Sequence, residues 1–355
     1  MTLTGRERLQ MTQSGHRSLW PNDWSICFYA CFKNADIGGS QMRYLVLGAG
    51  ALGGYFGGML IKSGADVTFL VRPKRAAQLH QDGLVVKLQD GSELRSKAKT
   101  VQQGRLNGTY DVILLSCKAY DLDGAMDALA PAMTEQSVIV PVLNGVRHID
   151  LLTGRFGQSR VLGGLTTINA ALMPDGAIQQ SQLRINLNAI GELDGRTSDR
   201  CTAIKTALEA GGIPVQISDS IVAMMWAKFF GFVITATIAS LTRSRAGAIA
   251  KSASGPLFVS AVIDECTRAV TAAGYPPVPP PAPDTASIMR GMFSQPASAY
   301  GPSILIDMED GRPTEGEHTV GDLVERAARM GISVPLLTAA RCNLQTYEIN
   351  RVSSM

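Results

Sequence analysis

Short apolar runs alternate with helix-forming segments through the first half of the chain. A run at residues 43–48 (RYLVLG) is followed by a helical stretch at 54–63 and by a second apolar run at 66–71. Strands that alternate with helices are typical of a parallel sheet, because parallel strands need crossover connections. Further apolar runs at suitable intervals lie at 112–116, 137–142 and 161–165. The pattern predicts an α/β, Rossmann-like, doubly wound parallel sheet.

One long apolar helix dominates the second half of the chain. Ser218, Asp219 and Ser220 give an N-cap signal, and the stretch Ile221–Thr242 that follows carries a single charge, Lys228. The stretch reaches the ~20 residues that can span a bilayer. However, Lys228 would lie near mid-span at a cost of ~2.5–3.5 kcal/mol. We therefore predict the core helix of a second, all-α domain, and no membrane span.

More helices are predicted around this core helix. An amphipathic helix at 257–273 is expected to expose Asp264, Glu265 and Arg268. A stretch with six prolines at 275–283 cannot be helical and predicts a stiff loop. The remaining predicted helices lie at 322–330 and 336–350.

The first 41 residues show no clear period. Their apolar stretch at 26–32 follows Asp23 and precedes Lys33, which does not match the order of a signal peptide. We predict an irregular N-terminal extension at 1–41, or upstream sequence translated ahead of a natural start at Met42. No function is assigned to it.

Composition excludes several classes of protein. The chain has 355 residues, 45% of them hydrophobic, and a net charge of only +3, which excludes intrinsic disorder and allows two domains. The sequence has no basic run that would indicate nucleic-acid binding. Its six cysteines form no CxxC pair and no metal-ligand spacing with the four histidines. We expect reduced thiols, no metal site and a cytoplasmic protein.

A glycine-rich motif follows the first predicted strand. It is the GxGxxG sequence Gly48, Ala49, Gly50, Ala51, Leu52 and Gly53. Gly48 allows a tight turn, Gly50 lets the backbone approach a pyrophosphate, and Gly53 lets the helix pack closely on the strand. The motif alone is weak, but its place between a strand and a helix predicts a dinucleotide site.

The end of the second strand indicates which dinucleotide binds. An NAD-specific site would have Asp or Glu there to bind the ribose hydroxyls. This chain has Arg72, with Lys74 and Arg75 close behind. Because a guanidinium can bind a 2′-phosphate in bidentate fashion, NADP(H) is favoured over NAD(H).

Three polar side chains are candidates for the chemistry. Lys118 and Asn144 follow two neighbouring predicted strands, where ligands of a doubly wound sheet bind. Lys228 lies within the apolar helix, and desolvation lowers a lysine pKa towards the range where it can give up a proton. Hydride reduction of a carbonyl requires such a proton donor. The alternatives are a surface lysine, a turn asparagine and a lysine in a structural ion pair.

Together these residues resemble the ketopantoate reductase (2-dehydropantoate 2-reductase) family over roughly residues 42–350. The glycine motif matches the start of that family. The resemblance implies that Arg72 binds the 2′-phosphate, that Lys118 lies in the cofactor cleft, and that Asn144 meets both cofactor and substrate. It also implies a backbone contact from Ala170 to the cofactor, and it makes Lys228 the general acid.

The C-terminal signature is more specific. The segment SILID at 303–307, followed by GRPTE at 311–315, is similar to the family's S-x-L-x-D…G-R-x-T-E pattern. The resemblance implies that Ser303 binds the substrate and that Glu315 is an active-site residue.

Three positions depart from the family pattern. Where pantoate-forming members have substrate-binding asparagines, this chain has Phe232, Ala236 and Ala246. The loss of three hydrogen-bonding side chains predicts a more apolar pocket, because a site built to pair a hydroxyl discriminates strongly. Thr235, Thr237 and Ser240 could replace the missing polar groups.

These observations divide the chain and define its expected activity. We predict the extension at 1–41, an NADP-binding Rossmann-like domain at 42–217 and a helical substrate and catalytic domain at 218–355. The expected activity is NADPH-dependent reduction of a small 2-oxo acid, such as ketopantoate in pantothenate biosynthesis. The alternatives are a reductase of a more apolar 2-oxo acid or keto ester and a non-catalytic NADP(H)-binding regulator. The sequence does not specify the oligomeric state, and a homodimer is one possibility.

Overall fold

The computed structural model describes most of the chain in four stretches. These are residues 42–106, 108–181, 186–277 and 284–353. The predicted N-terminal extension and most of the predicted proline-rich loop lie outside the described residues.

Strands occupy the first two thirds of the described chain, and helices occur throughout it. The strands are β1 Arg43–Leu47, β2 Asp66–Leu70, β3 Leu84–Lys87, β4 Glu93–Ser96, β5 Lys99–Val101, β6 Val112–Leu115, β7 Val138–Pro141, β8 Leu162–Thr166, β9 Ala170–Leu172, β10 Ile178–Gln180, β11 Asn188–Glu192 and β12 Gln216–Ile217. The helices are α1 Ala51–Lys62, α2 Pro73–Asp82, α3 Leu122–Leu129, α4 Arg147–Phe156, α5 Asp199–Gly211, α6 Ile221–Thr242, α7 Ala246–Lys251, α8 Gly255–Ala272, α9 Thr285–Met292, α10 Ser303–Glu309, α11 Asp322–Arg329 and α12 Pro335–Ser353. A π-helical turn, Glu317–Gly321, precedes α11.

A five-stranded parallel sheet forms the centre of the N-terminal part. Its strand order is β5-β2-β1-β6-β7. In the central strand, Leu45 lies opposite Thr68 on one side and Ile113 on the other. Because helices cover both faces of such a sheet, β1, β2, β6 and β7 are largely buried and apolar, which is why they could be read from the sequence. The edge strand β5 is largely exposed and was not predicted. The predicted doubly wound fold is confirmed.

The predicted strand at 161–165 belongs to a different sheet, so that part of the prediction was wrong. β8 pairs antiparallel with β11 in a three-stranded sheet, and Gly164 lies opposite Ile190. A single parallel bridge, between Ile139 and Val161, connects it to β7. A fully buried strand has the same apolar pattern whichever partner it pairs with, so the sequence did not reveal the partner.

A four-stranded sheet with the order β4-β3-β10-β9 was not predicted. Its strands are only three or four residues long. β4 is half exposed, and its residues ELRS are not apolar. Such short, partly polar strands lack the apolar run from which a strand can be predicted.

After β12, all described elements are helices, as predicted. α6 lies at their centre and packs against α8, α9, α10 and α12. It is the one described helix long and apolar enough to cross a membrane. However, 67% of its most apolar 18-residue stretch is buried inside the protein. α6 is therefore a core helix, and its bounds are those predicted.

One residue of α8 contradicts the predicted helix faces. Asp264 and Arg268 are exposed, but Glu265 is buried. Its carboxylate accepts hydrogen bonds from the backbone N–H groups of Leu336, at 3.0 and 3.1 Å, and of Leu337, at 3.1 Å. Glu265 thus satisfies unpaired donors in the first turn of α12, a tertiary role that helical periodicity cannot show.

Candidate active site

The glycine motif forms the loop between β1 and α1, as predicted. Gly48 adopts a φ of +92°, which favours glycine. A Cβ on Gly53 would lie 2.1 Å from the Gly48 carbonyl oxygen, so only glycine fits there. In front of Gly50, by contrast, a Cβ would meet nothing within 4 Å. This open space lies at the N-terminus of α1, where unpaired N–H groups can bind phosphates, and it fits a dinucleotide.

Arg72, the predicted 2′-phosphate ligand, lies at the end of β2. It occupies the N-cap position of α2, immediately beyond β2. The side chain is 83% exposed, and its Nη2 lies 3.1 Å from Asp121 Oδ1. The guanidinium is thus accessible beyond the carboxyl end of β2, and an exposed ion pair of this kind is weak.

Lys228 and Asn144, from the two halves of the described chain, lie within hydrogen-bond distance of each other. Lys228 is on α6, and Asn144 follows β7. The Lys228 Nζ donates to the Thr166 carbonyl oxygen at 2.8 Å and to Asn144 Oδ1 at 3.2 Å. Because an ammonium has three N–H groups, one remains for another acceptor.

Glu315 connects Asn144 to the second lysine. Its Oε2 accepts from Asn144 Nδ2 at 3.3 Å and from Lys118 Nζ at 3.4 Å, and its Oε1 accepts from the Ala119 N–H at 3.0 Å. Asp307 Oδ2 lies 3.6 Å from the same Lys118 Nζ. The predicted residues Lys118, Asn144, Lys228 and Glu315 therefore form one hydrogen-bonded network.

The surroundings of the two lysines shift their pKa values in opposite directions. Burial lowers the pKa of Lys228 from 10.5 to about 8, against the opposing effect of the Glu315 charge. For Lys118, burial is the largest influence and lowers the pKa, but the charges of Glu315, Asp307 and Tyr120 and the hydrogen bond to Glu315 together raise the pKa above its usual value. Lys118 is thus a permanent cation, and Lys228 is the group that can exchange a proton near neutral pH.

A buried histidine lies in the first turn of α4, close after Asn144. His148 is 3% exposed, and its Nε2 has no hydrogen-bond partner in the part of the chain that the structure describes. Burial, and secondly the charge of Lys228, lower the pKa of His148 to about 3. The imidazole is therefore neutral and adds no charge to the site.

Only one of the three departures from the family pattern lines the site. Phe232 borders a small crevice together with Lys228 and Asn144. Ala236 and Ala246, in contrast, are 0% and 1% exposed. The suggested substitutes Thr235, Thr237 and Ser240 are also buried, at 4%, 0% and 0% exposure. The change of pocket chemistry expected from the sequence therefore rests on Phe232.

Two predicted site residues lie outside the hydrogen-bonded network. Ser303 is exposed at the start of α10, one helical turn from Asp307. Ala170 begins β9, and its side chain packs against the core of the N-terminal part. The Ser303 side chain makes no hydrogen bond to any other described residue, and its substrate contact stays a prediction.

Three members of the site were not predicted from the sequence. The Thr166 carbonyl oxygen holds Lys228 and the Ala119 N–H donates to Glu315, and backbone groups leave no side-chain signal. Asp307 had been given no role, although it follows Ser303 by four residues on the same helical face. Among the described residues, no group of His, Cys, Asp and Glu side chains could hold a metal ion.

Comparison with known families shows which family the chain matches. A family model described as "Ketopantoate reductase PanE/ApbA" matches residues 44–195, and its partner, "Ketopantoate reductase PanE/ApbA C terminal", matches residues 220–347. The uncharacterized oxidoreductase YkpB of Bacillus subtilis is 34% identical over 87% of this chain and 100% of its own. A 2-dehydropantoate 2-reductase of Archaeoglobus fulgidus is 27% identical over 82% of this chain and 92% of its own.

Solved structures share the fold. A 2-dehydropantoate 2-reductase from Geobacter metallireducens superposes with a TM-score of 0.76 at 22% identity, covering 86% of this chain and 99% of that one. A D-mandelate dehydrogenase, solved with NADH and anilino(oxo)acetate, gives a TM-score of 0.75 at 19% identity, covering 87% and 99%. With both family models matched in order and most of the chain covered, the chain belongs to the ketopantoate reductase family of oxidoreductases.

Proposed function

We propose that this chain catalyses the NADPH-dependent reduction of a 2-oxo acid to a 2-hydroxy acid. The observation that carries the proposal is the position of Lys228. A lysine with a pKa lowered to about 8 and one unused N–H faces Asn144, which follows a strand of the nucleotide-binding sheet. This is the proton donor that reduction of a carbonyl needs.

The residues of the chain divide the chemical tasks among them. The glycine loop and Arg72 would hold NADPH, which would supply a hydride to the carbonyl carbon. Lys228 donates its free N–H to the carbonyl oxygen and transfers a proton as negative charge develops there, so that the alcohol forms and Lys228 becomes a neutral amine. Glu315 holds Asn144 and Lys118 in place. Solvent then reprotonates Lys228.

The preference for NADPH rests on charge at the end of β2. Arg72 is exposed there, and the N-terminus of α2 carries no acidic residue. A carboxylate would repel a 2′-phosphate, whereas a guanidinium can bind it through two parallel hydrogen bonds. The mandelate dehydrogenase relative is described with NADH, so NADPH is a proposal for this chain.

The substrate is proposed from the groups around Lys228. Asn144 and Ser303 would bind the carboxylate, as they would in a ketopantoate reductase. Phe232 adds an aromatic face to the crevice, which favours an apolar side chain on the substrate as the second candidate. Reduction of ketopantoate would place the protein in pantothenate biosynthesis. In either case we infer a cytoplasmic enzyme.

A substrate panel tests these alternatives. Purified protein with NADPH is offered ketopantoate, a series of 2-oxo acids of increasing apolar bulk and the corresponding keto esters. Turnover of ketopantoate with the highest kcat/KM supports the pantothenate role, and a preference for bulkier acids supports the role of Phe232. NADPH binding without turnover of any carbonyl would overturn the proposal in favour of a regulatory protein.

A further inference from the structure

A second arginine in the nucleotide-binding part is held far more firmly than Arg72. The Arg75 Nε donates to the Ala49 carbonyl oxygen at 2.9 Å. Its Nη1 donates to the Gly176 carbonyl oxygen at 2.9 Å and to Gln78 Oε1 at 2.7 Å. Ala49 belongs to the glycine loop and Gly176 to the turn between β9 and β10. Arg75 therefore ties the glycine loop to a neighbouring turn.

The packing around these contacts is close. Gln78 Nε2 donates to the Asp175 carbonyl oxygen at 3.1 Å. Gly176 has a φ of +82°, and a Cβ there would lie 1.9 Å from Gln78 Nε2. Any other residue at Gly176 would displace the Gln78 side chain. It would thereby also disturb the hydrogen bonds of Arg75. The position of the guanidinium is thus determined by several elements at once.

The charge of Arg75 has no counterion among the described residues. No described carboxylate forms an ion pair with it, and burial lowers its pKa without any opposing carboxylate. Its Nη2 is buried and has no hydrogen-bond partner in the described stretches of the chain. Arginine nevertheless remains protonated in proteins. A partly desolvated cation without a counterion is costly, and an anion bound nearby would offset that cost.

We propose that Arg75 is a positioning residue of the cofactor site, which fixes the glycine loop through the Ala49 carbonyl and supplies positive charge to the pyrophosphate of the dinucleotide. The proposal rests on the proposed dinucleotide cofactor. It separates two tasks: Arg72 reads the 2′-phosphate, and Arg75 serves the pyrophosphate that NADPH and NADH share.

Binding titrations of the full-length protein test this division. Dissociation constants for NADPH and NADH are measured by isothermal titration calorimetry on wild type, Arg75→Gln, Arg75→Lys and Arg72→Gln. Loss of charge-assisted hydrogen bonds in Arg75→Gln should weaken both nucleotides by a similar factor, about 10- to 100-fold. Arg75→Lys keeps the positive charge but cannot donate to both the Ala49 and Gly176 carbonyl oxygens. It should therefore recover part of the affinity for NADPH and NADH. Arg72→Gln should weaken NADPH alone.

Kinetics add a second readout. In Arg75→Gln the KM for the nucleotide should rise while kcat at saturating nucleotide changes little, because Arg75 does not touch the reacting atoms. Unchanged affinities in Arg75→Gln, or a loss confined to NADPH, would overturn the proposal. If Arg75→Gln fails to fold, wild-type affinities in Arg75→Lys would overturn it. A wild type that prefers NADH would refute the proposed NADPH preference and leave the Arg75 prediction testable on NADH.

Discussion

Replacing Lys228 with alanine removes the group on which the proposed chemistry depends. The substitution deletes the ammonium that donates to Thr166 and Asn144. It leaves Glu315, Lys118 and the glycine loop in place. Nucleotide binding should therefore persist while the proton donor is lost.

The size of the effect follows from the role assigned to Lys228. A positioned general acid typically accelerates a reaction by about 10²- to 10⁴-fold. At ~1.36 kcal/mol for each factor of ten, its loss raises the barrier by roughly 3–5 kcal/mol. The pH dependence has a definite sign, because only protonated Lys228 can donate. With its pKa lowered to about 8, the wild-type kcat should be level at lower pH and fall as the pH rises above that value.

The assay is steady-state NADPH oxidation with the best substrate of the panel, from mildly acidic to alkaline pH. Lys251→Ala is the matched control, because Lys251 is exposed in the last turn of α7. It should leave kcat unchanged. An Lys228→Ala variant within tenfold of wild type would refute the assignment. So would a wild-type rate that still increases through the alkaline range.

Four further substitutions extend the test. Gly53→Ala places a Cβ 2.1 Å from a carbonyl oxygen of its own loop and should abolish NADPH binding in calorimetry; retained binding would contradict the close packing. Glu315→Gln keeps the shape but removes the charge that holds Lys118, so kcat should fall by about 10- to 100-fold, and an unchanged kcat would argue against its role. Phe232→Asn should improve kcat/KM for hydroxylated 2-oxo acids relative to apolar ones by about 10-fold, whereas an unchanged ratio would remove Phe232 from the specificity pocket. Glu265→Ala leaves backbone donors of α12 unpaired. It should lower the free energy of unfolding, measured in urea, by about 1–3 kcal/mol, whereas a substitution at an exposed site should cause no such loss.

The sequence predicted those elements whose apolar pattern has a single interpretation. Strands β1, β2, β6 and β7 of the parallel sheet are largely buried, and α6 is apolar around its whole circumference, so these elements could be read directly. The edge strand β5 is largely exposed and could not. The strand at 161–165 was assigned to the wrong sheet because burial does not specify a pairing partner. Glu265 was placed on the wrong face because its partners, the N–H groups of α12, lie far away along the chain.

The candidate site shows the same division. Lys118, Asn144, Lys228 and Glu315 were identified from the sequence, and the structure joins them by hydrogen bonds. Ala236 could not be excluded from the pocket beforehand, because the rotation of a wholly apolar helix about its axis leaves no trace in the sequence. The contacts of Arg75 with two backbone carbonyls were hidden for a related reason, since carbonyl groups are present at every position.

Direct hydride transfer is the central claim, and isotopic transfer measures it most directly. NADPH deuterated at the transferred position of the nicotinamide is incubated with the protein and a 2-oxo acid of the panel, and the product is analysed by mass spectrometry. We predict a 2-hydroxy acid with one deuterium at C2, formed in equal amount to the nucleotide oxidised. The absence of this product, or a product without deuterium, would contradict the account.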